Sequence, residues 1–308
     1  MNIHIHNFTV HFKVPSGEVY AADHISIELQ SGKITGLIGE SGCGKSVLGL
    51  SVLGLLPPYA KVSGDIEFDG IHPLTASEKE LRMLRGRKIG LIPQSPSESL
   101  NPVRRIGSQL DETLRLVEKN AFTRKKIAKK LLGSFGFENP ARIMSAYPFE
   151  LSGGMQQRVL CAIGVSCSPK WILADEPTKG LDATLCDQVC DTLLGLKKWG
   201  VESMLIITHD LALAEKLCDC VAVMYAGEIL EIGENVLQNP LHPYTKAFLS
   251  SLPQNGMHPM AGTPPKPGDY FAGCKFAPRC PQHTEICVEQ RPKPIVADDT
   301  MVRCFLYA

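Results

Sequence analysis

The sequence predicts an α/β fold built on a mostly parallel sheet, and three observations predict it. A short apolar run, Lys33 to Ile38, leads straight into the glycine-rich loop Gly39-Glu40-Ser41-Gly42-Cys43-Gly44-Lys45-Ser46, which opens a helix. Further apolar runs at Trp171-Ile172-Leu173-Ala174, Met204-Leu205-Ile206-Ile207 and Val221-Ala222-Val223-Met224 are separated by helical segments, as parallel strands with covering helices require. A second glycine-rich run, Leu151-Ser152-Gly153-Gly154-Met155-Gln156-Gln157-Arg158, opens a second helix.

The elements follow in order. Ile3, Ile5, Phe8, Val10 and Phe12 are interleaved with polar residues and read as a strand. Ala21 to Leu29 reads as its neighbour, closed by a turn at Ser31-Gly32. Ser46 to Leu56 reads as a helix ended by Pro57-Pro58. Gly64 to Gly70 is an alternating strand closed by a glycine turn, and Lys88 to Ile92 is an apolar strand ending at Pro93-Gln94. From Ser95 to Ser166 strand signals give way to helical periodicity. His242 to Leu252 can form one helix, and Pro253 to Gly273 reads as a linker rich in Pro and Gly. The last segment carries Cys274, Cys280, Cys287 and Cys304 among few apolar residues, which predicts a poorly packed tail.

Composition narrows the class. The chain has 308 residues, with 32 basic and 32 acidic side chains, so the formal net charge is zero and nucleic acid is not an expected partner. The stretch Ser46 to Ala60 is shorter than the roughly 20 residues of a membrane-spanning helix and contains Pro57-Pro58. Residues Met1 to Lys13 lack the basic-then-apolar pattern of a signal peptide. An odd count of eleven cysteines argues against complete internal pairing.

The first glycine-rich loop is a phosphate loop. Gly39, Gly42 and Gly44 let backbone N–H groups approach phosphate, Lys45 bridges the β- and γ-phosphates, and the Ser46 hydroxyl ligates Mg²⁺. Ser41, Cys43 and Val47 complete the nucleotide-binding stretch. In Trp171 to Glu176, Asp175 ends a strand where it can hold Mg²⁺, and Glu176 can orient or deprotonate the attacking water. Ser152, Gly153 and Gly154 make a second phosphate cradle at a helix N-terminus. One nucleotide site has little room for both cradles, so each is expected to face a different ATP across a dimer.

These motifs resemble the ATP-binding cassette (ABC) family, whose signature loop reads LSGGQ; here Met155 replaces the Gln. The resemblance implies an ABC-type P-loop ATPase core with an antiparallel β part at the N-terminus (1–94 and 167–235), a helical signature subdomain (95–166) and a small Cys-containing C-terminal extension (236–308). It also implies roles for Gln94 as the Q-loop residue that senses Mg²⁺ and water, and for His209 as the switch histidine at the γ-phosphate. Asp182, in Gly180-Leu181-Asp182, is implied as a D-loop residue at the dimer interface. An aromatic residue is implied to stack on adenine, with Phe12 the first candidate and Tyr20 the alternative.

The tail narrows the resemblance. Asn239-Pro240-Leu241-His242-Pro243-Tyr244-Thr245 and Gly273-Cys274-Lys275-Phe276-Ala277-Pro278-Arg279-Cys280-Pro281 are similar to segments of the ATPase subunits of oligopeptide, dipeptide and nickel importers. That implies a second ATPase subunit (a heterodimer, or a homodimer), two membrane permeases, an extracytoplasmic binding protein, and a place on the cytoplasmic face of the membrane. The implied cargo is di- or oligopeptide, with nickel or a metal chelate also open. A soluble ABC ATPase acting on DNA or ribosomes is the alternative. The tail cysteines are spaced C-x5-C-x6-C-x16-C, unlike paired CxxC zinc modules. Thiolates at irregular loop spacings suit an iron–sulfur cluster, and the resemblance implies that it is [4Fe–4S]; Zn²⁺ and free or disulfide-bonded thiols remain open. The other seven cysteines are expected to be small buried residues.

Overall fold

The computed structural model describes residues 1–15, 17–179, 183–251, 256–266 and 269–308, with the backbone alone for 183–185. Its strands are β1 Ile3–Val14, β2 Gly17–Leu29, β3 Ile34–Ile38, β4 Lys61–Phe68, β5 Ile89–Ile92, β6 Trp171–Asp175, β7 Ser203–Ile207, β8 Cys220–Tyr225, β9 Glu228–Gly233, β10 Ile295–Ala297 and β11 Thr300–Val302. Its α-helices are α1 Lys45–Val52, α2 Glu78–Leu84, α3 Pro96–Ser99, α4 Ile106–Leu114, α5 Ala121–Ser134, α6 Pro140–Ser145, α7 Gly153–Val165, α8 Ala183–Gly195, α9 Leu211–Leu217, α10 Pro243–Ser250 and α11 Glu285–Glu289. Two compact units result, one of residues 1–30, 35–74 and 218–308, the other of residues 31–34 and 75–217.

In the first unit β2, β1 and β4 form an antiparallel sheet. Its alternation breaks where β1 shifts register between Ile5 and Val10, and Asn7 there takes φ 45°. Asn tolerates that left-handed conformation because its short polar side chain bonds locally. The irregularity turns Phe8, Thr9 and Val10 all inward. In the same unit β3 runs parallel to β8, and β9 pairs antiparallel with β8. The β8–β9 hairpin turns at Ala226 (φ 46°) and Gly227 (φ 86°), the two left-handed residues of a type I′ turn. The short hairpin β10–β11 adds to the far side of β9. The sequence pattern did not announce β9, because Glu228 and Glu231 interrupt its apolar run, yet both are buried. Helix α1 is shorter than expected: it stops at Val52, and Gly54 (φ 60°) follows before the prolines are reached.

In the second unit β5, β6 and β7 are parallel, with Ile92 opposite Ala174 and Asp175 opposite Ile207. The predicted helical stretch is observed as α3 to α7. Ile106, Leu110 and Leu114 form the buried stripe of α4; Ala128, Leu131 and Leu132 do so on α5. Helix α7 passes close to β5, because a Cβ on Gly90 would lie 2.2 Å from the Gly164 carbonyl oxygen.

Candidate functional site

The phosphate loop belongs to the first unit. Strand β3 is buried throughout and delivers Gly39 at its end. A side chain at Gly39 (φ 151°) would meet the Met224 carbonyl at 2.1 Å, and one at Gly44 (φ 108°) the Ala21 carbonyl at 1.8 Å. Only glycine fits both positions, so the loop is pinned between two backbones. Lys45 is buried and donates from Nζ to the carbonyls of Gly39 (2.8 Å) and Glu40 (3.0 Å). Helix α1 has no side-chain cap and no acidic residue in its first turn, which leaves its positive end suited to an anion. Ser41 and Gly42 are exposed, Ser46 and Val47 half-buried. Cys43 is buried, and burial pushes its thiol pKa up. Phe12 is half-buried and meets Tyr59 edge-on, with centroids 5.9 Å apart. Tyr59 is 73% exposed and was not singled out from the sequence, where it stands as a lone aromatic after two prolines. Tyr20 is also exposed, with its ring 5.1 Å from that of His11.

The residues expected to act in hydrolysis belong to the second unit. The carboxyl ends of β5, β6 and β7 present Gln94, then Asp175 and Glu176, then His209. Such strand ends are where parallel α/β sheets place their ligands. Glu176 takes φ 47°, a strained conformation for a non-glycine residue, held by its N–H donating to Ile207 O at 2.8 Å. Its side chain is nearly buried, and its Oε2 lies 2.6 Å from His209 Nδ1. Asp210 caps α9, accepting from Leu213 N–H at 3.1 Å, and Thr178 donates to its other oxygen at 3.4 Å. Thr178 and Asp210 were not identified from the sequence.

The second cradle is also in this unit. Ser152 caps α7, its Oγ accepting from Met155 N–H at 3.4 Å. Ser152 and Gly153 are exposed, and a Cβ on Gly153 would meet nothing within 4 Å. The chain's own packing therefore does not require glycine there. Asp182 lies outside the described residues.

The tail is tied into the first unit. Glu231 accepts from the N–H groups of Leu241 (2.6 Å) and His242 (3.0 Å). His242 caps α10 through Nδ1, and burial holds its pKa down at about 3, so it is neutral. Contrary to the poorly packed tail expected, Phe276 is fully buried and packs edge-on against Tyr225 and Tyr244. One aromatic with large buried area does what several small apolar residues would. Lys275 lies 2.7 Å from Asp23 and Arg291 lies 2.9 Å from it. Cys274, Cys280, Cys287 and Cys304 are half-buried free thiols lining one cavity of about 130 Å³. Among the described residues, no group of three or more His, Cys, Asp or Glu is placed to hold a single metal ion. Burial pushes the Cys274 thiol up to about 11. Of the other seven cysteines, Cys43, Cys161 and Cys190 are fully buried and the rest intermediate.

Comparison with known proteins shows the family. Residues 22–179 match the ABC transporter family model, and residues 230–287 match the oligopeptide/dipeptide transporter C-terminal region. A dimeric ATP-binding cassette, MJ0796, in a post-hydrolysis state with ADP and Pi, has a TM-score of 0.67 at 26% identity, covering 75% of this chain and 98% of that one. The fold and its phosphate loop are those of an ATP-binding cassette ATPase. The chain belongs to the ABC transporter family. It is 40% identical to the dipeptide transport ATP-binding protein DppD of Bacillus subtilis, over 98% of this chain and 93% of that protein. It is 37% identical to DppD of Escherichia coli (98% and 95%) and 36% to the oligopeptide transport ATP-binding protein AppD of B. subtilis (99% and 96%).

Proposed function

We propose that this chain is the ATP-hydrolysing subunit of an importer for di- or oligopeptides, peripheral on the cytoplasmic face of the membrane. The observation that carries the reading is the union, in one chain, of a match to the ABC transporter family over residues 22–179 with a tail matching the oligopeptide/dipeptide transporter C-terminal region. Among the described residues no helix is long and apolar enough to cross a membrane; in this reading two permease subunits supply the path. In this reading residues 1–94 and 167–235 form the ATPase core, 95–166 the signature subdomain and 236–308 the extension.

Lys45 and the loop N–H groups bind the nucleotide phosphates. Ser46, Gln94 and Asp175 offer the hard oxygen donors that Mg²⁺ takes. Mg²⁺ supplies charge neutralisation at the phosphates. Glu176 accepts a proton from the attacking water, and His209 fixes its carboxylate. Phe12 stacks on adenine, with Tyr20 as alternative. Ser152, Gly153 and Gly154 complete the site of a second ATPase subunit, and Asp182 belongs to that interface.

The four tail cysteines hold a [4Fe–4S] cluster in the same reading. Their shared cavity, about 130 Å³, is roughly ten times what one water needs. Four thiols spread around such a space suit a cluster in which each binds its own iron, whereas a single Zn²⁺ needs them on one point.

Uptake tests the function. A strain lacking this gene should lose accumulation of radiolabelled di- or oligopeptides, and the Lys45→Ala gene should not restore it. Normal peptide uptake with loss of nickel uptake would reassign the cargo.

A further inference from the structure

The phosphate loop contains its own acidic residue, Glu40, beside the groups that must receive polyanionic phosphate. Arg279, 239 residues away in the tail, meets it with a two-pronged ion pair. Nη1 donates to Glu40 Oε2 and Nη2 to Oε1, each at 3.0 Å. The guanidinium is itself fixed. Nε donates to Ala261 O at 3.1 Å, Nη1 also reaches the Tyr225 hydroxyl at 3.3 Å, and Cζ lies 5.7 Å from the Tyr225 ring centroid. The Arg279 side chain is 5% exposed and that of Glu40 22%, so the pair is poorly screened by solvent. The rest of Glu40 is held too. Its N–H donates to the Tyr244 hydroxyl at 3.1 Å, and its carbonyl accepts from Lys45 Nζ at 3.0 Å. Two of these anchors, Arg279 and Tyr244, come from the C-terminal extension.

We propose that Arg279 is a positioning residue for nucleotide binding: it neutralises Glu40 and fixes the phosphate loop, so that the tail sets the affinity of the loop for ATP. The proposal rests on the reading that residues 39–46 hold the nucleotide. An arginine is suited to this because its planar fork matches a carboxylate and its charge is permanent. Without it, the Glu40 carboxylate would stand unneutralised in the loop and repel the phosphates. A purely structural role would not distinguish a charged from a neutral residue at position 40.

The test is MgATP binding by the full chain, measured by titration calorimetry for wild type, Arg279→Gln, Glu40→Gln, the double variant and Lys45→Ala. Arg279→Gln should weaken binding by about five- to tenfold, as an uncompensated charge near the phosphates would. Adding Glu40→Gln to it should restore binding to within about twofold. Wild-type affinity in Arg279→Gln, or a double variant as weak as that single one, would overturn the proposal while leaving the nucleotide reading intact. Equal binding by wild type and Lys45→Ala would overturn both. If Arg279→Gln does not fold, Glu40→Gln alone decides: it should bind MgATP at least as tightly as wild type, and weaker binding would refute the neutralising role.

Discussion

His209 Nδ1 lies 2.6 Å from Glu176 Oε2, and both residues sit at the carboxyl ends of adjacent parallel strands. A carboxylate oxygen accepts, so in this contact the ring nitrogen Nδ1 is the donor. The contact holds the carboxylate against the His209 ring, and Glu176 itself takes the left-handed backbone conformation.

Glu176→Gln should slow ATP hydrolysis by roughly 10²–10⁴-fold while leaving ATP binding intact. Glutamine keeps the shape and an acceptor for His209 but cannot take a proton from water. Single-turnover hydrolysis in the assembled complex checks this, and near-normal turnover would remove Glu176 from the chemistry.

The tail should make stability depend on acid. Burial alone would raise the Asp23 pKa, but Lys275, His24 and Arg291 together hold it down at about 2. A depressed carboxylate pKa contributes stability that is fully present above its unfolded value near 3.8 and is lost as pH falls through about 2. Asp23→Asn should therefore cost about 2 kcal/mol at pH 7 and little near pH 2. Chemical denaturation of both proteins at several pH values gives the difference, and a pH-independent gap would contradict the assignment.

Tyr244→Phe should keep the buried ring packing and remove the acceptor of the Glu40 N–H. The expected loss is about 1 kcal/mol of stability, readable by denaturant titration. An unchanged midpoint would mean the tail's grip on the loop contributes nothing through this bond.

Protein purified without oxygen should carry about four iron and four sulfide per chain, as a [4Fe–4S] cluster requires, with visible absorbance. Substituting any of Cys274, Cys280, Cys287 or Cys304 with Ser should lower both together. One zinc and no sulfide would leave a mononuclear site, and neither metal would leave none.

The sequence was most legible where chemistry and periodicity coincide. The loop 39–46 follows a short, largely apolar strand, and Asp175-Glu176 closes another, so both stand out in the sequence. The tail was least legible. Strands β10 and β11 have three residues each, too few to show a period of two, and β9 carries two buried glutamates whose partners are distant in sequence. Nothing local in Phe276-Ala277-Pro278-Arg279 indicates that Phe276 joins an aromatic cluster or that Arg279 pairs with Glu40. Gly153 is the converse case. Its identity was legible as part of a cradle, yet the chain's own packing gives no reason for it.

In the proposed function this chain hydrolyses ATP at sites shared with a second ATPase subunit, Lys45 coming from one and Ser152 from the other. Turnover per chain, measured first for the purified chain over a range of concentrations and then with the partner ATPase and permeases added, tests it most directly. Turnover should be slow for the chain alone and rise markedly on assembly. Fast turnover by the isolated chain, independent of its concentration, would contradict it.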